Sequence, residues 1–456
     1  MSFQKKDDVS KTRWFVANEQ KKKGAENTDA GKNKLNIVHL GMGVIPIPPG
    51  DVAASGEEYI YLLTNHLGQM NCRVHVIDIK GGAYQKKIRQ QSSAKFHEVW
   101  HLPLPSQSKS PFLQHFFNYL LVMSQTLLFS LLSSFTLNRL LSKEKIDIIH
   151  THNREPAIAT IVTNKLWRRG ALTVYAPKAA YGFAKLSRRK KIINFAEFLA
   201  LKWVDHIVAM TPAVKTWLVS EFKLDPAKIS QIYAGADSHE IDQFLSHKAG
   251  APHLANIILC TGTVSGRKNQ FSAVKAIPHV IKKHPEVKFV FTGPVSDAQY
   301  LASIQRFIAE NSLSQWVEFK GIVPKQELYN LYSDAILFFF PTTAEIDPVS
   351  LKEALVFGLP IVSSTIEPIA DVVNEGEGSA ILVDPYDVTG MAEAINRILD
   401  DSSLRQSMSE HARELGKCFS YEGIAKQTLD LYQELIKNKK IPQGATINVV
   451  QTKESI

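Results

Sequence analysis

The sequence predicts an α/β protein made of two halves, each built on a doubly wound parallel sheet. Its 456 residues are enough for two or three domains. Short apolar runs alternate with segments of helical spacing, a pattern typical of parallel sheets covered by helices. The alternation breaks at residues 246–256 and then restarts, so we expect each half to have its own core.

The first half contains five apolar runs that are predicted to be buried strands: KLNIVHLGMG, CRVHVIDI, IDIIH, LTVYA and DHIVAMT. Helical spacing at Tyr59, Leu62, Leu63 and Leu67 predicts a helix between the first two strands. A long helix is predicted over 112–141. Its uncharged part, Tyr119–Phe135, is at the short end for a membrane span and contains four serines. We therefore expect a buried or interfacial helix of a soluble domain.

The second half contains six predicted strands: NIILCTGT, VKFVFTGP, VEFKGIV, ILFFFP, LPIVSS and AILVDP. The segment YEGIAKQTLDLYQELIKNK predicts a last helix that packs back on the first half. Residues 1–34 are polar and lysine-rich, which predicts a disordered basic arm, and residues 441–456 are expected to form a loose tail.

The net charge of +9 and the pI of about 9.1 favour acidic partners, such as nucleotides, phosphates or anionic lipids. A nucleic-acid partner is the weakest of these, because the basic residues show no aromatic interleaving. Cys72, Cys260 and Cys418 are widely separated, which excludes a disulfide framework and fits a reducing cytoplasm. No secretory signal is visible in the first residues, so a cytoplasmic location is expected.

Candidate chemistry is concentrated in TTAEIDPVSLKEALVFGLPIV, where seven residues separate Glu345 from Glu353. In open α/β sheets, ligands bind beyond the carboxyl ends of the strands, and the strand AILFFFP brings Glu345 to such an end. Asp347 suits a helix N-cap, Pro348 the first turn and Gly358 the C′ position.

The start of this helix is a predicted anion site, because its amides and dipole favour negative charge. Val349 and Ser350 lie at this start and are candidate nucleotide-binding residues. One glutamate would reach a bound sugar, and the other would accept hydrogen bonds from hydroxyls farther along the ligand. The spacing alone leaves a second interpretation open, a capped helix with two incidental glutamates.

The two glutamates followed by ALVFGLPIV resemble the signature of the retaining glycosyltransferases of family 4, which have the GT-B fold. The resemblance covers roughly residues 35–437 and includes further motifs: DIIHTHN, VDHIVAMT, KISQIYAGAD, GTVSGRKNQ and IEPIADVVNEGEGSAILVDPYD. It implies two Rossmann-like domains facing a cleft. The acceptor domain would be 35–245 with the returning helix 421–438, and the nucleotide-sugar domain 250–415.

The resemblance also implies roles for single residues. Glu345 would face the donor sugar near the reacting carbon, and Glu353 would bind the ribose. Lys268 would neutralise the diphosphate leaving group with the help of the adjacent Arg267. His152 would lie near the sugar and the acceptor. Further candidates for the nucleotide site are Gly56, which allows close backbone approach, and Gly293.

These residues also have plain structural interpretations. Arg267 and Lys268 would belong to a solvated basic turn, and His152 would be a satisfied histidine at a strand end. The sequence also departs from the family pattern: AASGEEYIYLL stands where Gly-Gly-Ala-Glu is frequent, and three single positions differ as well. Thr263 stands where an arginine is usual, and Asp347 and Pro348 stand where Phe-Gly is usual. We therefore expect the Asp347 carboxylate to lie close to a diphosphate, which would disturb the donor geometry.

The function implied is retaining transfer of a sugar from a nucleotide sugar, such as a UDP- or GDP-sugar, to a glycan, lipid-linked or other acceptor in cell-surface polysaccharide or glycoconjugate synthesis. No cofactor and no metal are expected, because no convincing Asp-x-Asp motif is present. Two alternatives stay open. One is a catalytically silent GT-B subunit that binds a nucleotide or acts as a scaffold, and the other is a sugar-nucleotide epimerase or phosphorylase.

Membrane contact is expected at Lys185–Trp203, where four consecutive basic residues precede an amphipathic run. Such a segment favours anionic lipids and would place the protein at the inner face of the cell membrane. The alternative is a solvated helix face. The two halves are expected to meet only through the linker near 246–256 and the helix after Tyr421.

Overall fold

A computed structural model describes residues 34–49, 55–101, 111–166, 170–177, 188–248, 256–373 and 378–440. The predicted basic arm up to residue 33, the tail 441–456 and residues 249–255 of the predicted linker lie outside the described residues.

The strands are short and mostly apolar, as expected for strands covered on both faces. Their bounds are β1 Asn36–Leu40, β2 Arg73–Ile79, β3 Lys95–Val99, β4 Ile148–Thr151, β5 Leu172–Tyr175, β6 His206–Ala209, β7 Ile229–Gln231, β8 Ile257–Thr261, β9 Lys288–Thr292, β10 Val317–Gly321, β11 Ala335–Phe340, β12 Ile361–Ser364 and β13 Ala380–Val383.

Helices connect these strands and cover the sheets. Their bounds are α1 Ser55–Gln69, α2 Ala83–Gln91, α3 Pro111–Lys143, α4 Arg154–Leu166, α5 Arg188–Trp203, α6 Pro212–Phe222, α7 Ser238–Lys248, α8 Gln270–Ile281, α9 Ala298–Glu310, α10 Lys325–Asp334, α11 Val349–Phe357, α12 Glu367–Val373, α13 Val388–Asp400, α14 Ser402–Gly416 and α15 Tyr421–Lys440.

In the described part of the chain the strands form two parallel sheets, in the orders β3-β2-β1-β4-β5-β6-β7 and β10-β9-β8-β11-β12-β13. In the first sheet β1 lies between β2 and β4, and in the second sheet β8 lies between β9 and β11. The order in which the chain adds strands therefore changes direction at β1 and at β8. Such a switch point is where open α/β sheets bind ligands. The prediction of two doubly wound domains is confirmed.

Several elements were predicted closely from apolar periodicity. The long helix predicted over 112–141 is α3, and its inner side buries Phe129 and Leu137 in the core of the first sheet. The edge strand β3 was missed, because its sequence KFHEV carries only one fully buried apolar side chain, Val99. The short edge strand β7 was missed for a similar reason, since only Ile229 is buried.

The last helix returns to the first half, as predicted. Helix α15 packs along α1, and the hydroxyl of Tyr432 lies 2.5 Å from His150 Nδ1 at the end of β4. Lys439 also donates to the carbonyl of Gly170. The chain therefore crosses between the two sheets a second time just before Tyr421.

The expectation that the halves meet only at the linker and this helix is wrong. The Ala213 amide at the start of α6 donates to Asp371 of α12 at 2.9 Å. Lys325 at the start of α10 lies 3.3 Å from Glu58 of α1. Polar groups of these four helices make the contacts, and apolar periodicity carries no information about such groups.

Within the described residues, no helix has both the length and the apolar character that a membrane crossing requires. This agrees with the expectation for Tyr119–Phe135, whose helix contributes buried side chains to a core.

Candidate active site

The candidate site lies at the carboxyl edge of the second sheet, where β8 and β11 are neighbours. The loop after β8 forms a short 3-10 turn, Gly266–Lys268, and the loop after β11 carries Glu345. The two loops are joined through the main-chain carbonyl of Arg267, which accepts hydrogen bonds from the Thr343 amide at 2.9 Å and the Thr342 hydroxyl at 3.1 Å. Adjacent strand ends thus hold the two loops in fixed register.

Glu345 pairs with both predicted cations. Its Oε1 accepts from Lys268 Nζ at 2.5 Å and from Arg267 Nη1 at 2.9 Å. The Glu345 and Lys268 side chains are largely buried, whereas the Arg267 side chain is about half exposed. Lys268 also lies over the ring of Phe340, with Nζ 4.5 Å from the ring centroid. One carboxylate and two cations therefore converge at the strand end that the sequence indicated.

Two glycines allow the loops to approach so closely. Gly262 and Gly293 follow β8 and β9 with φ of +137° and +134°, a region that side chains rarely adopt. A Cβ on Gly293 would lie 2.4 Å from the Gly262 carbonyl oxygen, and one on Gly262 would lie 3.2 Å from Lys268 Cε. Gly293 is thus required by the packing of the site, and its contact with a nucleotide stays a prediction.

The predicted N-cap role of Asp347 is wrong. Helix α11 begins at Val349 with Pro348 as its N-cap, and it ends at Phe357, followed by Gly358, whose φ of +73° agrees with the predicted helix stop. The Asp347 carboxylate turns away from the helix amides because it has stronger partners. It pairs with the fully buried Lys352 and accepts from the Ala234 amide at 2.8 Å.

The buried Lys352 neutralises the Asp347 carboxylate, and the closeness of this carboxylate to a diphosphate stays a prediction. Lys352 Nζ also donates to the Ala234 carbonyl at 2.8 Å. Asp347 and Lys352 together therefore bind both the amide and the carbonyl of Ala234, a residue of the first half. The sequence holds a signal for this pair that was missed. Lys352 is the single cation of the helix VSLKEALVF, and it stands five residues after Asp347.

Val349 and Ser350 form the first turn of α11, as predicted. The first helical hydrogen bonds run from the amides of Leu351 and Lys352 to the Pro348 carbonyl, at 3.2 and 3.3 Å. The amides of Val349 and Ser350 come before the first helical donors, so they have no acceptor within the helix. They point out of its N-terminus, where they favour an anion. Pro348 itself offers no amide there.

Glu353 lies one turn farther into α11 and accepts from the hydroxyl of Tyr332 at 3.0 Å. The same hydroxyl reaches the Ser350 carbonyl at 3.1 Å. Burial raises the pKa of Glu353 to about 7, and the neighbouring carboxylate of Glu58 acts in the same direction. Tyr332, which the sequence did not single out, therefore positions the acid that was predicted to bind a ribose.

The raised pKa of Glu353 predicts a pH-dependent stability difference. The unfolded chain releases this proton near pH 4.5, whereas the folded protein keeps it to about pH 7. The wild type therefore loses stability as the pH rises between these values, whereas the Glu353→Gln variant does not. We expect the melting temperature of the variant, relative to wild type, to rise from pH 4.5 to 7 and then level off. A difference that stays constant across this range, as expected for the exposed control Glu310→Gln, would contradict the assignment.

His152 lies in a buried cluster of histidines at the carboxyl edge of the first sheet. His152 Nε2 is 3.0 Å from His39 Nδ1, and Tyr432 bridges to His150 from the returning helix. Burial lowers the pKa of His39 to about 3, so this ring is neutral. Tyr59 lies edge-on to His152, with ring centroids 5.7 Å apart. His152 is fully buried, so contact with a sugar requires a rearrangement, and its catalytic role stays a prediction.

Among the described residues, the histidines of this cluster also form the group best suited to a metal. One ligand atom from each of His39, His150 and His152 falls within 4.8 Å of the others. The short separation of His39 and His152 is that of a hydrogen bond, and His150 Nδ1 is already engaged by Tyr432. A hydrogen-bonded network accounts for this geometry.

Two further predictions concern the first half. Gly56 lies in the first turn of α1, where a Cβ would come 2.8 Å from Met42 Sδ in the loop after β1, and its contact with a nucleotide stays a prediction. The segment Lys185–Trp203 corresponds to α5 from Arg188 onward, and its residues 185–187 lie outside the described residues. The positions of the side chains in Arg188–Lys191 are not described either.

Comparisons with known families match most of the chain. The model described as "Glycosyl transferases group 1" matches residues 242–415, and the model described as "Glycosyltransferase Family 4" matches residues 56–240. The boundary between the two models falls close to the predicted domain boundary. The candidate cluster around Glu345 lies inside the first match.

Characterised relatives share about a quarter of their residues with the chain. A D-inositol 3-phosphate glycosyltransferase of Nocardioides sp. is 25% identical over 245 residues, which is 50% of this chain and 53% of the relative. The chain thus spans about half the length of that relative. A galactosyltransferase of Escherichia coli, named for its α-D-GlcNAc-diphosphoundecaprenol acceptor, is 23% identical over 67% of this chain and 80% of its own.

Solved structures confirm the architecture. HepE of Anabaena, solved in complex with UDP and glucose, aligns with a TM-score of 0.66 and 16% identity, over 88% of this chain and all of that one. At this level of identity the likeness establishes the fold. Together with the two sheets and the returning helix, it identifies the GT-B arrangement.

Proposed function

We propose, from the premise that the chain belongs to the group 1 glycosyltransferases with the GT-B fold, that it is a retaining enzyme that uses a nucleotide sugar. The observation that carries this proposal is the cluster of Glu345, Lys268 and Arg267 at the ends of β8 and β11. The departure of a nucleoside diphosphate builds negative charge, and fixed cations beside it stabilise the transition state.

The cluster divides into two functions. Lys268 and Arg267 would bind the diphosphate oxygens, aided by the amides at the start of α11. Glu345, released from one or both cations, would face the sugar and balance positive charge at the reacting carbon. Glu353 would accept hydrogen bonds from the ribose, with Tyr332 fixing its orientation. No resident cofactor or metal is required for these roles.

We further propose that the acceptor carries a phosphate or diphosphate on a lipid. The name of one relative, for inositol 3-phosphate, supports the phosphate, and the name of the other, for a diphosphoundecaprenol-linked sugar, supports both the diphosphate and the lipid. The basic character of the chain is consistent with such acceptors. Synthesis of a cell-surface glycan or glycoconjugate at the inner face of the membrane is the setting that this acceptor class favours.

The choice of donor is tested by thermal shift with a panel of nucleoside diphosphates and their sugars. A ligand that binds the native state raises the melting temperature by mass action. We expect one base to be preferred, and we expect the nucleotide sugar to be consumed when a lipid diphosphate sugar is added. Binding without hydrolysis or transfer, across the panel, would instead favour a silent scaffold subunit.

The Lys268→Ala variant should bind the preferred nucleoside diphosphate more weakly and transfer sugar about 10²-fold more slowly, as is typical when one fixed electrostatic group is lost. The reason is that Lys268 is the more buried of the two cations and the closer to Glu345. Lys275→Ala, on α8 in the same half, is the matched control, because this lysine lies over Phe271 rather than Glu345. Equal diphosphate affinity in wild type and Lys268→Ala would contradict the proposed role.

A further inference from the structure

Helices α3, α4 and α5 form one layer over one face of the first sheet. Helix α3 packs along α4, and α4 packs along α5. Their inner side chains enter the cores of this sheet, for example Phe129 of α3, Ile161 of α4 and Leu201 of α5. The opposite side of the layer faces outward.

This outward side is unusually apolar. Of the eleven large apolar side chains that the structure describes as exposed, six lie on these three helices: Leu127, Leu131, Phe135, Val162, Phe195 and Trp203. Leu127, Leu131 and Phe135 are spaced four residues apart on α3, so they share one side of the helix, and between 57% and 64% of each is exposed. We call these six side chains the docking face. Clustered apolar exposure of this kind marks an interaction surface.

The exposed charges that the structure describes on these three helices are cationic, and the acids just beyond their ends have partners: Glu144 pairs with Arg73, and Asp205 accepts from the Thr173 amide at 2.7 Å. Helix α3 contains no acidic residue in its 33 positions. The acids of the other two helices are Glu155, which is bound to Arg154 at 2.7 Å, and Glu197, which is buried and accepts from Tyr175 at 2.7 Å. Exposed cations are present instead, at Arg139, Lys143 and Lys202. The sequence of the first turn of α5 is entirely basic.

Helix α3, which carries half of the docking face, extends to the edge of the first sheet that faces the cleft. Gln125 of α3 donates to the carbonyl of Gly43, in the loop that follows β1, at 3.2 Å. Gln125 therefore lies level with the carboxyl ends of the strands. The fourteen residues before it extend about 21 Å farther, at 1.5 Å per residue, on the side of the cleft.

We propose that the docking face seats the protein on an anionic lipid bilayer, with Leu127, Leu131 and Phe135 inserted among the acyl chains and the surrounding cations at the headgroups. An apolar face with a cationic rim is the pattern of a helix that lies in the membrane interface. A second copy of the chain fits less well, because its contact would set equal cationic rims against each other. Membrane binding by the docking face does not depend on the proposed function. Only its consequence does, namely that the cleft opens at the bilayer surface, where a lipid-linked acceptor is found.

The test is flotation of the full chain with vesicles of phosphatidylcholine, with and without phosphatidylglycerol. We expect binding to the anionic vesicles, and we expect the triple variant Leu127→Ser/Leu131→Ser/Phe135→Ser to bind roughly 10²-fold more weakly, since three partly exposed apolar side chains no longer enter the lipid. Tyr84→Ser/Trp100→Ser/Ile322→Ser is the control, because its three side chains are 54–59% exposed and lie outside the docking face. This control should bind like wild type.

Three results would overturn the proposal. The first is equal vesicle binding by wild type and the docking-face variant. The second is a wild type that does not float with anionic vesicles at all. The third is a dimer in sedimentation equilibrium that the docking-face variant abolishes, since the occupant would then be a second copy of the chain. Melting temperatures near wild type in both triple variants establish that the fold is retained.

The same variants separate this inference from the proposed function. Transfer to a short-chain, water-soluble acceptor should be unchanged in the docking-face variant, whereas transfer to the acceptor in vesicles should fall with vesicle binding. Vesicle binding that depends on the docking face, in a protein without transferase activity, would retain the inference and reject the proposed function. Full transfer to the acceptor in vesicles, by a docking-face variant that no longer binds the vesicles, would reject the inference and retain the proposed function.

Discussion

The Glu345→Gln variant should lose at least roughly 10²-fold to 10³-fold in sugar transfer while keeping its fold, a loss typical of one preorganised charged group. The substitution keeps the shape of the side chain and removes its charge. The amide cannot balance positive charge at the reacting carbon, and it no longer pairs with Lys268 at 2.5 Å and Arg267 at 2.9 Å. The measurement is kcat with saturating donor and acceptor.

The control is Glu310→Gln at the exposed end of α9, which changes the net charge equally and should leave kcat unaltered. Circular dichroism and the melting temperature show whether the fold persists. Nucleoside diphosphate affinity gives a further readout. Loss of the carboxylate frees Lys268 and Arg267, so the diphosphate should bind the variant as tightly as wild type, or more tightly. Near-normal turnover in Glu345→Gln would remove this residue from the reaction.

The Lys352→Met variant should lower the free energy of unfolding by about 3–5 kcal/mol, the usual cost of leaving one partner of a buried ion pair uncompensated. Lys352 is fully buried and Asp347 nearly so, and both hold the main chain of Ala234. The loss should be visible by chemical denaturation. The exposed pair Lys426–Asp430 supplies the control, because Lys426→Met should cost no more than about 0.5 kcal/mol.

A double variant, Asp347→Asn/Lys352→Met, completes the cycle. It leaves no buried charge and retains a side-chain oxygen for the Ala234 amide, so much of the stability should return. A cost below about 1 kcal/mol for Lys352→Met would contradict the buried pair. Strongly tightened diphosphate binding in Asp347→Asn alone would show that this carboxylate faces the ligand after all.

Much of the fold follows from apolar periodicity, because strands buried on both faces are nearly continuous apolar runs. The positions of Lys268, Arg267 and Glu345 at adjacent strand ends follow from the same reasoning, since the ends of neighbouring parallel strands meet. The edge strand β3 could not be predicted in this way, because a strand at the exposed edge of a sheet needs fewer apolar residues. Its Phe96 and Val99 are separated by two polar residues, so the strand lacks the period of two that would identify it.

Contacts between distant polar residues could not be predicted in the same way. The sequence predicts that Asp347 caps the helix that follows it, because an aspartate just before a helix is commonly its N-cap. In the fold, the Asp347 carboxylate binds Ala234 and Lys352 instead of the helix amides, because these two partners are buried beside it. Likewise, His152 was predicted from its strand, whereas its surroundings depend on His39 and on Tyr432, 280 positions farther along the chain. Each of these contacts depends on side-chain geometry that only the assembled fold specifies.

The stereochemistry of the product tests the central claim most directly. An α-linked donor is incubated with an acceptor in the presence of a chelator, and the anomeric proton of the product is observed by NMR. We expect an α-linked product formed at the same rate with and without chelator, because Lys268 and Arg267 supply the positive charge for the leaving diphosphate. A β-linked product would contradict retention, and strict dependence on an added metal would contradict the role of the two cations.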